Sequence, residues 1–404
     1  MLTSKALLLA LTAAPALASP VAGADRLFRR QEAANETSSS SSAVLADLSV
    51  LNALAFPFDR TGADNATVGN VSLPSSPTYQ YGSQASVPAA EEKLARVRNA
   101  TFVAYQDAFL QLAGNATLER AFQGGNYHEA PVYLPTRNQI FLTGDNGASQ
   151  YIVDLNSSSV HNFTADPPVE NVNGATYHDG VLYLVSNGGI GTAAGVYAVN
   201  VETNKSSIVV NNYYGLRFKF TDATYGQLMD VNPYYPQMQT GVYIYNSTTK
   251  LTKLIVNQVV QPNGLALSPD ASVFYVGDTG ALAGPNDPHE AGPRVVYAFD
   301  VLDGAFATNR RVFHLSPQGV PDGMKVDTEG RLWTVLGGAD TAGVQVVGTD
   351  GQLLGLIQLP EGGQAYNLMF QAPEEGAEGD TLWVVGGDSI WKIVGLNVTG
   401  LRAK

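Results

Sequence analysis

Three residues at one recurring position of this chain carry side-chain oxygen: Glu129 in HEAPVYLP, Asn263 in PNGLALSPDAS and Asp322 in PDGMKVDTEGR. Each precedes a short apolar strand and a polar turn. Pro-Asn-Gly or Pro-Asp-Gly alone is ordinary turn chemistry. Recurrence at one point of a repeat favours a shared role, the more so because Glu129 stands there in a unit without the turn dipeptide. A carboxylate, an amide oxygen and a second carboxylate around one centre suit a hard divalent cation, Ca²⁺ first, with water completing the shell. Mg²⁺, Mn²⁺ and Zn²⁺ are alternatives. Zinc suits the site least, since His128, His161, His178, His289 and His314 form no close ligand pair and the chain has no cysteine.

The elements that must bring these residues together read as strands. Short apolar runs end in a small or acidic residue: IFLTGD from Ile140, VLYLVSN from Val181, FKFTDAT from Phe218, VFYVGDT from Val273, LWTVLGG from Leu332 and LWVVGGD from Leu382. A second strand follows each, such as QYIVDLNSS or GVYAVNVET. With 41 Gly and 21 Pro between them, strands this short and regular predict radial repetition of four-stranded sheets. The expectation is an all-β, six-bladed β-propeller over residues 91–404. The innermost strand of each blade lines the central channel, which would draw Glu129, Asn263 and Asp322 to one axial point. TFVAY (101–105) is expected to close the ring by joining the last blade. In the third unit NNYYGLRF runs straight into KFTDATYG, so that blade is expected to be incomplete, short of about one strand and turn.

Taken together, PNGLALSPDASVFYVGDTG, PDGMKVDTEGRLWT and HEAPVYLPTRNQIFLTGD resemble phrases of the SMP-30/gluconolactonase family, over about Tyr127 to Gly395. The resemblance implies a six-bladed propeller that hydrolyses lactones with a bound divalent metal. It implies Glu129, Asn263 and Asp322 as the metal ligands and a proton-transfer role for Asp322. An Asn-Asp phrase that the family carries before the TDATYG region is absent here, where the internal repeat also fails. A deletion that removes part of the rim gives this junction, and so does a gene sequence that skips coding residues. The expected function is a secreted, metal-dependent lactonase acting on a small sugar-type or related lactone. One alternative is a non-catalytic propeller that binds a ligand at its rim. Another is strictosidine-synthase-like chemistry, which does not call for this donor set.

Composition is consistent with that reading. Of 404 residues 45% are hydrophobic and 15% charged, enough apolar material for a large core, and the net charge of −13 argues against nucleic acid or anionic membrane as partner. Residues 1–18 read as a secretory signal, with Lys5, an apolar run and Ala16-Leu17-Ala18, and residues 19–90 as a Ser/Ala-rich flexible or propeptide-like segment. Sequons at Asn35, Asn65, Asn70, Asn99, Asn115, Asn156, Asn162, Asn204, Asn246 and Asn397 predict N-glycans on a secreted, extracellular monomer. GGIGTAAG (188–195) resembles a dinucleotide loop, but the strand GVYAVN follows where a helix would be needed, so it reads as an inter-strand loop. No G-x-S-x-G elbow is present. His128 reads as a structural histidine, and Asp222 and Asp278 as strand-end capping groups.

Overall fold

The computed structural model describes residues 6–7, 43–51, 88–144, 149–189, 191–218, 238–281, 292–337, 342–371 and 381–398. Most of the expected signal, the sequons at Asn35, Asn65 and Asn70, Asp222 and His289 lie outside these residues.

The architecture is an all-β propeller in which five antiparallel blades are described. Their inner strands are Val132–Leu134, Val172–His178, Pro262–Leu267, Val320–Val326 and Asn367–Phe370. The first four are followed outward by strands that pair in sequence order, as in Val172–His178, Val181–Ser186, Gly195–Asn200 and Ser206–Val210. Alternate side chains of a strand point to opposite faces of its sheet, so each blade buries two apolar faces against its neighbours. Trp333, Val335 and Val344 of one blade pack on Leu368, Phe370 and Trp391 of the next. Tyr127, Met369 and Trp383 pack likewise on Ile140 and Leu142.

The two longest repeated phrases share one turn design. Asp270 accepts hydrogen bonds from Ser268 Oγ (2.6 Å), Ser272 N (3.0 Å) and Ser272 Oγ (2.7 Å). Fully buried Asp327 accepts from the backbone N–H of Glu329 and Arg331 (both 3.0 Å), from Arg331 Nε (2.6 Å) and from Trp333 Nε1 (3.0 Å). An Asx-type turn of this kind fixes how each inner strand returns to the second strand.

Ring closure differs from the expectation for TFVAY. The strand that joins the last blade is Thr117–Tyr127, which runs along Leu382–Val394 from Thr117 opposite Val394 to Tyr127 opposite Gly387. Phe102–Ala104 instead extends the preceding blade at its outer strand, with Val103 opposite Leu356, and Val44–Leu45 adds beyond it in parallel. The physical reason is burial: Phe102, Val103 and Ala104 are all enclosed, which suits a strand covered on both faces. Residues 43–51, inside the segment read as flexible from its serines, thus carry an apolar AVLA run that packs, with Ala46 buried beside Leu94 and Val97 of the helix Pro88–Arg98.

Between the Val172–Val210 and Pro262–Leu315 blades the chain makes two hairpins. Asn212–Tyr213 pairs with Leu216–Arg217, and Val242–Asn246 with Thr252–Val256. Ala6–Leu7 pairs antiparallel on the free edge of Val242–Asn246. An open groove of about 760 Å³ beside this hairpin is lined by Tyr183, Ile208, Tyr214, Tyr245 and Leu251, among others. Residues 219–237, where the sequence repeat fails, lie outside the described part.

Candidate functional site

Asn263 and Asp322 reach the channel by the same local device. In the Pro262–Leu267 strand Pro262 faces Asp278 and Leu265 faces Val276, so Asn263 and Gly264 share one partner. In the Val320–Val326 strand Pro321 faces Leu336 and Met324 faces Thr334, so Asp322 and Gly323 share one. A bulge of this kind turns a side chain out of the alternating pattern. The glycines then permit close approach between blades. A Cβ at Gly264 would fall 2.1 Å from the Asp322 carbonyl oxygen, and one at Gly323 would fall 2.3 Å from Asn367 Oδ1.

Glu129 arrives differently. Its backbone is held by Thr143, which donates its N–H to the Glu129 carbonyl at 2.8 Å. Ala130 then takes a left-handed φ of 58°. For a residue with a Cβ this conformation costs about 1–3 kcal/mol, and such corners cluster at functional sites. Glu129 is 4% exposed and Asp322 7%.

The geometry joins these groups through a fourth residue. Asn367 Nδ2 donates to Glu129 Oε2 at 2.5 Å, while Gly323 N donates to the neighbouring Tyr366 carbonyl at 3.0 Å. The line Asn263, Asp322, Asn367, Glu129 therefore runs across four inner strands. Asn367, in AYNLMF, is not among the residues expected from the sequence. Its register after Tyr366 matches Asn263 after Pro262, and that was the available signal. Lys325 was also missed. It is a lone cation on an apolar inner strand, close enough to Glu129 for their charges to interact.

Electrostatics set the site's chemistry. Burial, then the charge of Asp322, pushes the Glu129 carboxyl well above the usual range, against the opposing Asn367 hydrogen bond. Burial raises Asp322 to about 7, although the Asn263 side chain and Gly323 N–H favour its ionised form. Asp322 Oδ1 is enclosed without a hydrogen bond of its own. Two buried carboxylates that repel each other cannot both ionise unless positive charge joins them. A hard divalent cation fits this chemistry, with Glu129, Asp322 and the Asn263 amide oxygen as the donors. Among the described residues no three His, Cys, Asp or Glu side chains cluster as a metal centre, so such a site depends on its amide.

The supporting residues are positional. Asp278 is 1% exposed and accepts from Val260 N and Gln261 N (both 2.9 Å) and Gly280 N (3.1 Å), which fixes the crossover into Asn263. His128 is buried with its ring 4.6 Å from that of Tyr366. GGIGTAAG leads directly into the strand Gly195–Asn200, with Gly191 N bonded to Glu170 Oε2 at 3.0 Å.

Residues 129–386 match the family profile described as the SMP-30/gluconolactonase/LRE-like region. The chain belongs to this family. Lactonohydrolase oryL of Aspergillus oryzae is 33% identical over 302 residues, which cover 66% of this chain and 67% of that protein. The structure of a gluconolactonase from Xanthomonas campestris superposes with a TM-score of 0.58 at 23% identity, over 72% of this chain and 93% of that one. The calcium-binding protein regucalcin of Agrobacterium tumefaciens superposes with a TM-score of 0.50 at 14% identity, over 70% of this chain and 94% of that one. At these identities the two structures establish the propeller, and the shared family places Glu129 at the start of the matched region.

Proposed function

We propose that this member of the SMP-30/gluconolactonase family is a secreted, N-glycosylated, divalent-metal-dependent lactonase that opens a small sugar-type or related lactone. The observation that carries the reading is the meeting of buried Glu129 and Asp322 in the channel, with the amides of Asn263 and Asn367 beside them. The names of the relatives, a lactonohydrolase and a gluconolactonase, agree with it. Ca²⁺ is the first choice of ion, held by Glu129, Asn263 and Asp322. A bound divalent cation would polarise a carbonyl and acidify water. The chain's own contribution is proton handling and orientation. Asp322, kept ionised by the adjacent cation, accepts a proton from water as that water adds to the lactone carbonyl. The proton passes to the ring oxygen as its bond to the carbonyl carbon breaks, leaving a hydroxy acid. Asn367 holds the Glu129 carboxylate in place.

The proposal extends to the ring. The hairpins at 212–217 and 242–256 occupy the chain position of a third of six blades, and the reading of that blade as incomplete rests on the break in the sequence repeat. Because that unit supplies no oxygen-bearing phrase, a non-catalytic propeller that binds a ligand at the rim is the second reading. A lactone panel assayed with and without chelator decides. Turnover lost on chelation and restored by Ca²⁺ or Mn²⁺ is expected, and absent or chelator-insensitive turnover by folded protein overturns the proposal. Exposed Asn99, Asn115, Asn156, Asn162 and Asn397 are open to glycosylation, and the mature N-terminus is expected at Ser19.

A further inference from the structure

The bulge that presents Asn263 and Asp322 occurs a third time. In the Val172–His178 strand Val172 faces Ser186 and Gly174 faces Val185, which leaves Asn173 as the extra residue. Glycine follows it, as glycine follows Asn263 and Asp322. Two of the three bulges deliver side chains to the buried site, and the register gives Asn173 the same place on its own inner strand. That strand lies next to Val132–Leu134, the inner strand that Glu129 introduces. Asn173 is half-buried, and its side chain makes no hydrogen bond among the described residues. Its counterparts are engaged, Asn367 with Glu129 and Asn263 with Asp322.

We infer that Asn173 is a substrate-positioning residue of the channel, whose free amide receives a hydroxyl group of a polyhydroxylated lactone. This rests on the lactonase reading for the identity of the ligand. A neutral amide offers two donors and an acceptor, which complements a hydroxyl and adds no charge to the carboxylate pair. Ion binding is therefore independent of it.

The test compares wild type with N173A and N173D, using gluconolactone as substrate, Mn²⁺ as ion and gluconate as product. Loss of one neutral hydrogen bond predicts a KM about 3- to 10-fold higher for N173A, with kcat changed less than about threefold. Mn²⁺ affinity by calorimetry should stay within about twofold and Tm within about 2 °C. N173D keeps the size but places an anion in the channel, so gluconate binding should weaken beyond that of N173A. An unchanged KM, or Mn²⁺ affinity lost with N173A, overturns the inference. Gluconate binding needs no turnover. If wild type binds gluconate without hydrolysing lactone, and N173A weakens that binding about 3- to 10-fold, the lactonase reading falls and the role of Asn173 stands. If neither protein binds gluconate, the inference falls.

Discussion

At the scale of single residues, the site is a pair of acids confined where neither ionises freely. Replacing Asp322 by Asn removes a proton acceptor that contributes on the order of 10²–10⁴-fold, so kcat/KM for lactone should fall by about that factor. The same change relieves repulsion with Glu129, so metal-free D322N should melt no lower than metal-free wild type, as thermal unfolding in chelator would show. N367A acts in the opposite sense. It leaves Glu129 Oε2 with only the longer hydrogen bond from Ala130 N (3.4 Å), and losing one buried hydrogen bond costs about 0.5–1.5 kcal/mol. Lower Tm and weaker Mn²⁺ binding should appear together in that variant.

At the scale of elements, the interlock between inner strands depends on glycine. A Cβ at Gly323 would stand 2.3 Å from Asn367 Oδ1 and 2.7 Å from Asn367 Cα, whereas one at Gly174 would meet Val185 only at 3.6 Å. G323A should therefore destabilise by about 1–3 kcal/mol and weaken Mn²⁺ binding, while G174A should stay within about 0.5 kcal/mol, as denaturant titration would measure. The same interlock explains what was legible beforehand. The strand runs, the oxygen-bearing phrases and the convergence of Glu129, Asn263 and Asp322 could be read because they repeat. Asn367 was overlooked because its phrase has neither Pro before it nor Gly after it. The position of TFVAY was misjudged because a short buried strand carries no label for which blade it joins. Thr117–Tyr127, the strand that does close the ring, contains Arg120, Gly124 and Gly125 and lacks the unbroken apolar run used to find strands.

At the scale of the whole molecule, blades are joined by polar contacts as well as apolar faces. His314, on the Phe306–Leu315 strand, is buried and lies 3.0 Å from the Gly351 carbonyl and 3.3 Å from Gln345 Oε1, both in the next blade. Burial holds its pKa below the ordinary value of about 6.5, against the pull of those hydrogen bonds. Its neutral form is the one the folded state favours. Stability from this contact is present above about pH 6.5, the unfolded value, and is lost as pH falls below it through the depressed folded-state value. Melting curves between pH 7.5 and 5 should be steeper in pH for wild type than for H314Q; equal slopes would refute the assignment.

The seam between Thr117–Tyr127 and Leu382–Val394 couples two stretches separated by most of the polypeptide. A ribosome delivers Thr117–Tyr127 long before Leu382–Val394. The blades described in between can form while translation proceeds, but the circle stays unsealed until Leu382–Val394 emerges, with two sheet edges open to other chains. Emergence of Leu382–Val394 therefore governs when the two edges of this seam become safe from aggregation.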